Sequence, residues 1–168
     1  SKTLNDVIKN AKRDLSALFN TQSGEFFMGE SGTELLFRLI RNAVIASPSG
    51  GSIVGTSLEH PASRSAAKKW SNEMKYTYLS VPHCVKTGTV DPKNYAGKIS
   101  DTTRVVTIVH ASPVTGMGTK IKEISKIVRQ KAPLAFIIVD GIQHAAHGGI
   151  DIDSYDIDGY VISPYKMF

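Results

Sequence analysis

Long apolar runs are missing. Nowhere do about 18 consecutive apolar residues occur to span a bilayer as a helix, so no membrane partner is expected. Cysteine is nearly missing too: Cys84 is the only one among 168 residues, which excludes an internal disulfide and suits a reducing, cytoplasmic setting. No group of His, Cys and carboxylate residues has metal-ligand spacing, so no metal is expected. Low-complexity linkers and internal repeats are also lacking. With 41% hydrophobic and 21% charged residues, one folded unit is the default. The formal charge departs from zero by only +5. Its basic residues are scattered over predicted helices, as in Arg64, Lys68 and Lys69 or Lys120, Lys122, Lys126 and Arg129, with no interleaved aromatics to stack bases. They read as solvated helix faces, with an anionic cofactor or substrate as a secondary contribution, and nucleic acid is not an expected partner.

What the chain does have is alternation. Leu4, Val7, Ile8, Ala11, Leu15 and Leu18 fall at helical spacing and predict an amphipathic helix over 3–19. A short strand is expected over 25–29, then a helix over 35–46, a strand over 52–56, a helix over 61–73 and a strand over 76–81. A short helix over 91–99 follows, then a strand over 104–110, a helix over 120–131 and a buried strand over 136–140. A last strand near Tyr160 leads to Lys166. This order predicts an α/β fold, a parallel-rich sheet with helices on both faces and ligands at the carboxyl ends of the strands. Thr33, His60, Ser112, Asp140 and Lys166 all follow predicted strands, which places them at one edge.

Two of these residues suggest a cofactor. The apolar run Phe136-Ile-Ile-Val-Asp140 delivers a carboxylate to the sheet's edge, and Tyr160-Val-Ile-Ser-Pro-Tyr-Lys166 delivers an amine. Pyridoxal phosphate needs this pair: a lysine to form the Schiff base and an acid to keep the pyridine nitrogen protonated. Upstream, Gly29-Glu-Ser-Gly-Thr-Glu34 feeds a helix start, where unpaired backbone N–H groups suit either a phosphate or a plain helix cap.

The pattern Val-Asp-Gly-x-Gln-x-x-x-His, followed by Asp-x-Asp-x-x-Asp-x-Asp-x-Tyr-Val-x-Ser-x-x-Lys, resembles the class V aminotransferase and cysteine desulfurase-like family of fold-type I pyridoxal phosphate enzymes. The resemblance implies that Lys166 is the Schiff-base lysine and proton-transfer base, and that Asp140 pairs with the ring nitrogen. It further implies that His60, in a Glu-His pair, stacks on the ring and relays protons, that Gln143 hydrogen-bonds the ring oxygen, and that Ser31, Gly32, Thr33, Ser163 and Tyr165 bind the phosphate. His147 falls on a family histidine and reads as a loop-ordering residue. Two positions depart from the desulfurase pattern: Pro113 stands where the family has an asparagine, leaving Ser112 and Thr115 as substitute donors, and Tyr165 stands where desulfurases commonly show histidine. The sulfur-accepting cysteine of desulfurases lies downstream of the lysine, so Cys84 reads as a plain loop residue.

By the same resemblance, residues 1–168 are part of the cofactor-binding large domain, with the small C-terminal domain absent from this chain, and the full-length protein is a homodimer. The chain starts at Ser1 and stops just past Lys166, and it reads as an excerpt of a longer protein. The expected activity is on an amino acid, by desulfuration or C–S cleavage. The alternatives are an aminotransferase of the same family and, from another class, a non-catalytic α/β domain holding a phosphate ligand at the Gly32 turn.

Overall fold

A computed structural model describes residues 3–167. Five strands form one sheet in the order β2-β1-β3-β4-β5, where β1 is Ser52–Thr56, β2 Thr77–Val81, β3 Thr103–Val109, β4 Phe136–Asp140 and β5 Gly159–Val161. All four pairings are parallel, as the strand–helix alternation implies. Helices α1 (Leu4–Leu18), α2 (Gly32–Ala46), α3 (Pro61–Met74), α4 (Pro92–Ala96), α5 (Ile121–Lys131) and α6 (Ile152–Tyr155) connect or precede the strands. Among the described residues, no helix is long and apolar enough to cross a membrane.

Strand side chains alternate between two cores. Ile53, Val105 and Ile138 point to one face, where Leu36, Ile40 and Val44 of α2 and Ala66 and Ala67 of α3 cover them. Val54, Val106, Ile137 and Val139 point to the other, against Tyr95 of α4 and Ile121, Ile124 and Val128 of α5. Such two-sided burial is why β3 and β4 read as nearly unbroken apolar runs. It also accounts for the chain reversal beside β1: α3 leaves on one face and α5 on the other, so a crevice opens outside the carboxyl ends of β1 and β3.

The helix starts follow from local chemistry. Thr3 and Asp6 form a capping box on α1, Ser31 Oγ accepts the Glu34 N–H at 3.1 Å on α2, and Asp91 caps α4 ahead of Pro92. Lys75, at φ 58°, ends α3 in the left-handed region.

Several expectations need correction. Residues 25–29 form no strand. Phe27 and Met28 are 80% exposed and no strand pairs with this stretch, although Phe26 packs against the small core of Phe19, Ala145 and Ile150. Helix α4 ends at Ala96 rather than near 99, because Gly97 begins a turn in which the Lys98 and Ile99 N–H groups both donate to the Tyr95 carbonyl. Helix α2 starts earlier than the apolar periodicity indicated, at Gly32. Lys166 lies not on a strand end but in a 3₁₀ turn, Pro164–Lys166, beyond β5. Short α6 left no periodic signal.

Candidate active site

The crevice at the carboxyl edge is a small cleft with a cavity volume of about 80 Å³. Its walls are Ser31, Gly32 and Thr33 from the start of α2, His60 from the β1–α3 turn, Pro113 after β3, Asp140, Ile142 and Gln143 after β4, and Ser163, Tyr165 and Lys166 after β5. All nine residues singled out from the sequence line this one cleft. Thr33 reaches it from a helix start not preceded by a strand.

The α2 end carries the groups that an anion would need. Ser31 caps the helix, while the remaining N–H groups of the first turn have no intrahelical partners. Gly32 is required here by close approach: a Cβ on it would stand 2.7 Å from Ser163 Oγ and nearer still to Ile142 Cδ1. The buried hydroxyl of Ser163 is thereby brought against the helix start.

At the β4 end, Asp140 is 4% exposed and its Oδ1 accepts the Ile142 N–H at 3.1 Å. Burial pushes its carboxyl above the ordinary value, opposed by that N–H and by the charge of Lys166. Gly141 lets the chain turn tightly, because a Cβ there would fall on the Tyr160 ring. Across the cleft, His60 is the N-cap of α3, and its Nδ1 accepts the Ala62 N–H at 3.1 Å. That bond fixes Nδ1 as the acceptor and leaves Nε2 to carry the proton of the neutral ring. Lys166 is half-buried, with Nζ 5.9 Å from the centre of the Tyr165 ring, and Tyr165 itself is 80% exposed.

Other expected donors point elsewhere. Ser112 is buried, its Oγ accepting the Val114 and Thr115 N–H groups, and Thr115 Oγ1 donates to the Gly88 carbonyl at 3.0 Å. Both hydroxyls are spent on loop structure, so neither replaces an asparagine at the Pro113 position. His147 and Cys84 are exposed and line no part of the cleft. Sequence reasoning gave no task to Glu59 and passed over Ile142. The run Ser57-Leu-Glu-His60 held the one usable signal, an acid beside a site histidine.

The family model for class-V aminotransferases matches residues 1–168. The chain belongs to that family. Among curated relatives, a cysteine desulfurase of Nostoc sp. is 29% identical over 165 residues, 98% of this chain and 40% of the relative. An aminotransferase-like protein of Gibberella zeae is 26% identical over 166 residues, again 40% of its length. The chain thus spans about two-fifths of the curated relatives it matches. The fold is shared with solved structures. A cysteine desulfurase of Thermococcus onnurineus superposes with a TM-score of 0.85 at 18% identity, over 95% of this chain and 39% of that one. A NifS-like protein superposes with a TM-score of 0.88 at 20% identity, over 96% of this chain and 44% of that one.

The residues present fit the cofactor expected from this family. The cleft offers an anion-binding end made of helix N–H groups and hydroxyls, a buried carboxylate open on one side, and an amine in the same cavity.

Proposed function

We propose that this chain is part of the cofactor-binding large domain of a pyridoxal phosphate enzyme that acts on an amino acid, resembling cysteine desulfurases and C–S lyases. The observation that carries the reading is the meeting of Lys166, Asp140 and the Gly32 turn in one cleft although they are far apart in sequence. Ser31, Gly32, Thr33, Ser163 and Tyr165 are proposed to hold the phosphate, Asp140 the ring nitrogen, Gln143 the ring oxygen and His60 the ring face.

Pyridoxal phosphate bound there would supply an aldehyde for amine exchange and a ring that accepts the electron pair left on the substrate's α-carbon. Lys166 would hold the cofactor's aldehyde carbon, and its Nζ as a free amine would be placed to take the substrate's α-proton as general base. Asp140 favours the protonated ring nitrogen by placing a carboxylate in a site sheltered from water. His60, with Nδ1 occupied, presents Nε2–H.

The aminotransferase of the same family stays as a second reading, because Pro113 departs from the family's asparagine, no side-chain donor replaces it, and the reaction type therefore does not carry over from desulfurases by resemblance alone. The proposal extends to a cytoplasmic homodimer for the full-length protein.

Borohydride treatment of the full-length protein loaded with pyridoxal phosphate should leave a stable pyridoxyl group on Lys166, located by peptide mapping. Lys166→Ala should abolish it. A label on another lysine, or an unchanged label in the variant, overturns the assignment. Incubation with cysteine and a dithiol reductant then separates the two readings, since alanine with sulfide, the reductant supplying the two electrons, marks desulfuration and a keto acid with the aminated cofactor marks transamination.

A further inference from the structure

We infer that Glu59 is a positioning residue for His60, a role that rests on the cofactor reading above and adds to it a buried support for the ring-facing imidazole. Glu59 is 2% exposed and shows no ion-pair partner among the described residues. Its carboxylate instead joins three elements. Oε1 accepts the Thr56 N–H at 2.9 Å from the end of β1 and the Thr107 hydroxyl at 2.6 Å from β3, and Oε2 accepts the Ser63 hydroxyl at 2.8 Å from the first turn of α3. Space for this arrangement comes from Gly55, where a Cβ would stand 2.8 Å from Thr107 Oγ1 and 2.9 Å from Glu59 Oε1.

Burying a carboxylate is costly unless its oxygens are hydrogen-bonded, and here three donors satisfy them. Its location gives those bonds their consequence. Glu59 directly precedes His60, and Ser63 lies one turn beyond it, so the three hydrogen bonds fix the backbone on both sides of the imidazole. Nδ1 of His60 is held by Ala62 in the same turn. Rotation of the ring is thereby restricted by a carboxylate it does not touch.

The test is a double-mutant cycle in the full-length protein, reading pyridoxal phosphate affinity by absorbance titration of the apo form. With His60 present, Glu59→Ala should weaken binding about tenfold, and in a His60→Ala background by less than about twofold, since coupled neighbours are non-additive. Glu59→Gln should stay within about twofold of wild type, because its oxygen keeps two donors and its amide donates to Ser63 Oγ. If Glu59→Ala does not fold, Ser63→Ala takes its place in the cycle, removing only the link to α3. Equal losses in the two backgrounds, or a Glu59→Gln protein as weak as Glu59→Ala, overturn the proposal. If His60→Ala leaves affinity unchanged, the proposal falls together with the role given to His60, while the Lys166 adduct tests the cofactor reading separately.

Discussion

Gly32→Ala adds one methyl group at the narrowest point of the cleft. The backbone at Gly32 is helical, so alanine meets no conformational strain there and gains helix propensity of roughly 0.5–1 kcal/mol. The clash opposes this gain. The new carbon stands 2.7 Å from Ser163 Oγ and 3.2 Å from Ile142 Cγ1, with Ile142 Cδ1 closer than either, whereas carbon contacts are optimal near 3.5–4.0 Å. The Ile142 side chain must swing away and Ser163 must retreat, an overpacking cost of typically about 1–3 kcal/mol. The net loss of stability is therefore small, about 1 kcal/mol, while the anion site loses both its space and the Ser163 hydroxyl. Urea unfolding should show a slightly lower midpoint, and titration with pyridoxal phosphate or inorganic phosphate should show affinity reduced about tenfold or more, the equivalent of one charge-assisted hydrogen bond. A Gly32→Ala protein that binds phosphate within about threefold of wild type would refute the cradle.

Two further perturbations test the frame. Burial raises the Asp140 carboxyl above its unfolded value, so the folded chain holds that proton more tightly; the associated stability is full below the ordinary Asp value, about 3.9, and is lost as pH rises through the raised one. Asp140→Asn should then make the cofactor-free protein more stable than wild type at pH 7, with the gain shrinking towards pH 4 in parallel urea titrations; an equal effect at both pH values would refute this. Arg129 clamps α5 to the segment before β5 through Asp156, Asp158 and the Ala135 carbonyl, and Asp158 also accepts the Ile137 N–H at 2.7 Å. Arg129→Ala should cost about 2 kcal/mol in urea unfolding and lower the yield of Lys166 adduct, because the clamp positions the strand that leads to the lysine; an unchanged midpoint would count against the clamp.

Much of this was legible from residue order, for stated reasons. Strand β4 reads correctly at both ends, because four apolar residues close on an Asp-Gly pair whose glycine the Tyr160 ring demands. His60, Asp140 and Lys166 were legible because a parallel sheet sends every loop at its carboxyl ends to one edge, whereas Ser31, Gly32, Thr33, Gln143, Ser163 and Tyr165 were assigned by the family resemblance. Residues 25–29 misled because strand propensity describes a fit to a half-buried surface beside a partner strand, and here Phe26 finds a core but no strand pairs with it. Ser112 and Thr115 misled for another reason. A hydroxyl's residue type does not reveal whether its hydrogen bonds are already committed, and both are engaged within or between loops. Glu59 was visible as a letter only. Its function depends on Thr107 and Ser63, one of them on another strand, and local pattern does not encode that convergence.

The charges of the cleft weigh against a domain that merely holds phosphate. The α2 start carries the positive end of a helix dipole, and together with Lys166 this would serve any anion. Asp140 would not. A carboxylate in the same cavity repels a phosphate, and in a partly buried site such repulsion is weakened far less than in water. Its burial already costs the protein, as the upward push on its carboxyl indicates, and its one hydrogen bond comes from Ile142. Placing a cationic N–H on the open side of Asp140 would reverse that push, so the cleft favours a ligand that is anionic at the α2 end and protonated at the β4 end. Such a ligand binds more tightly as Asp140 ionises, whereas inorganic phosphate does not, so the ratio of the two affinities should rise with pH through the raised Asp140 value.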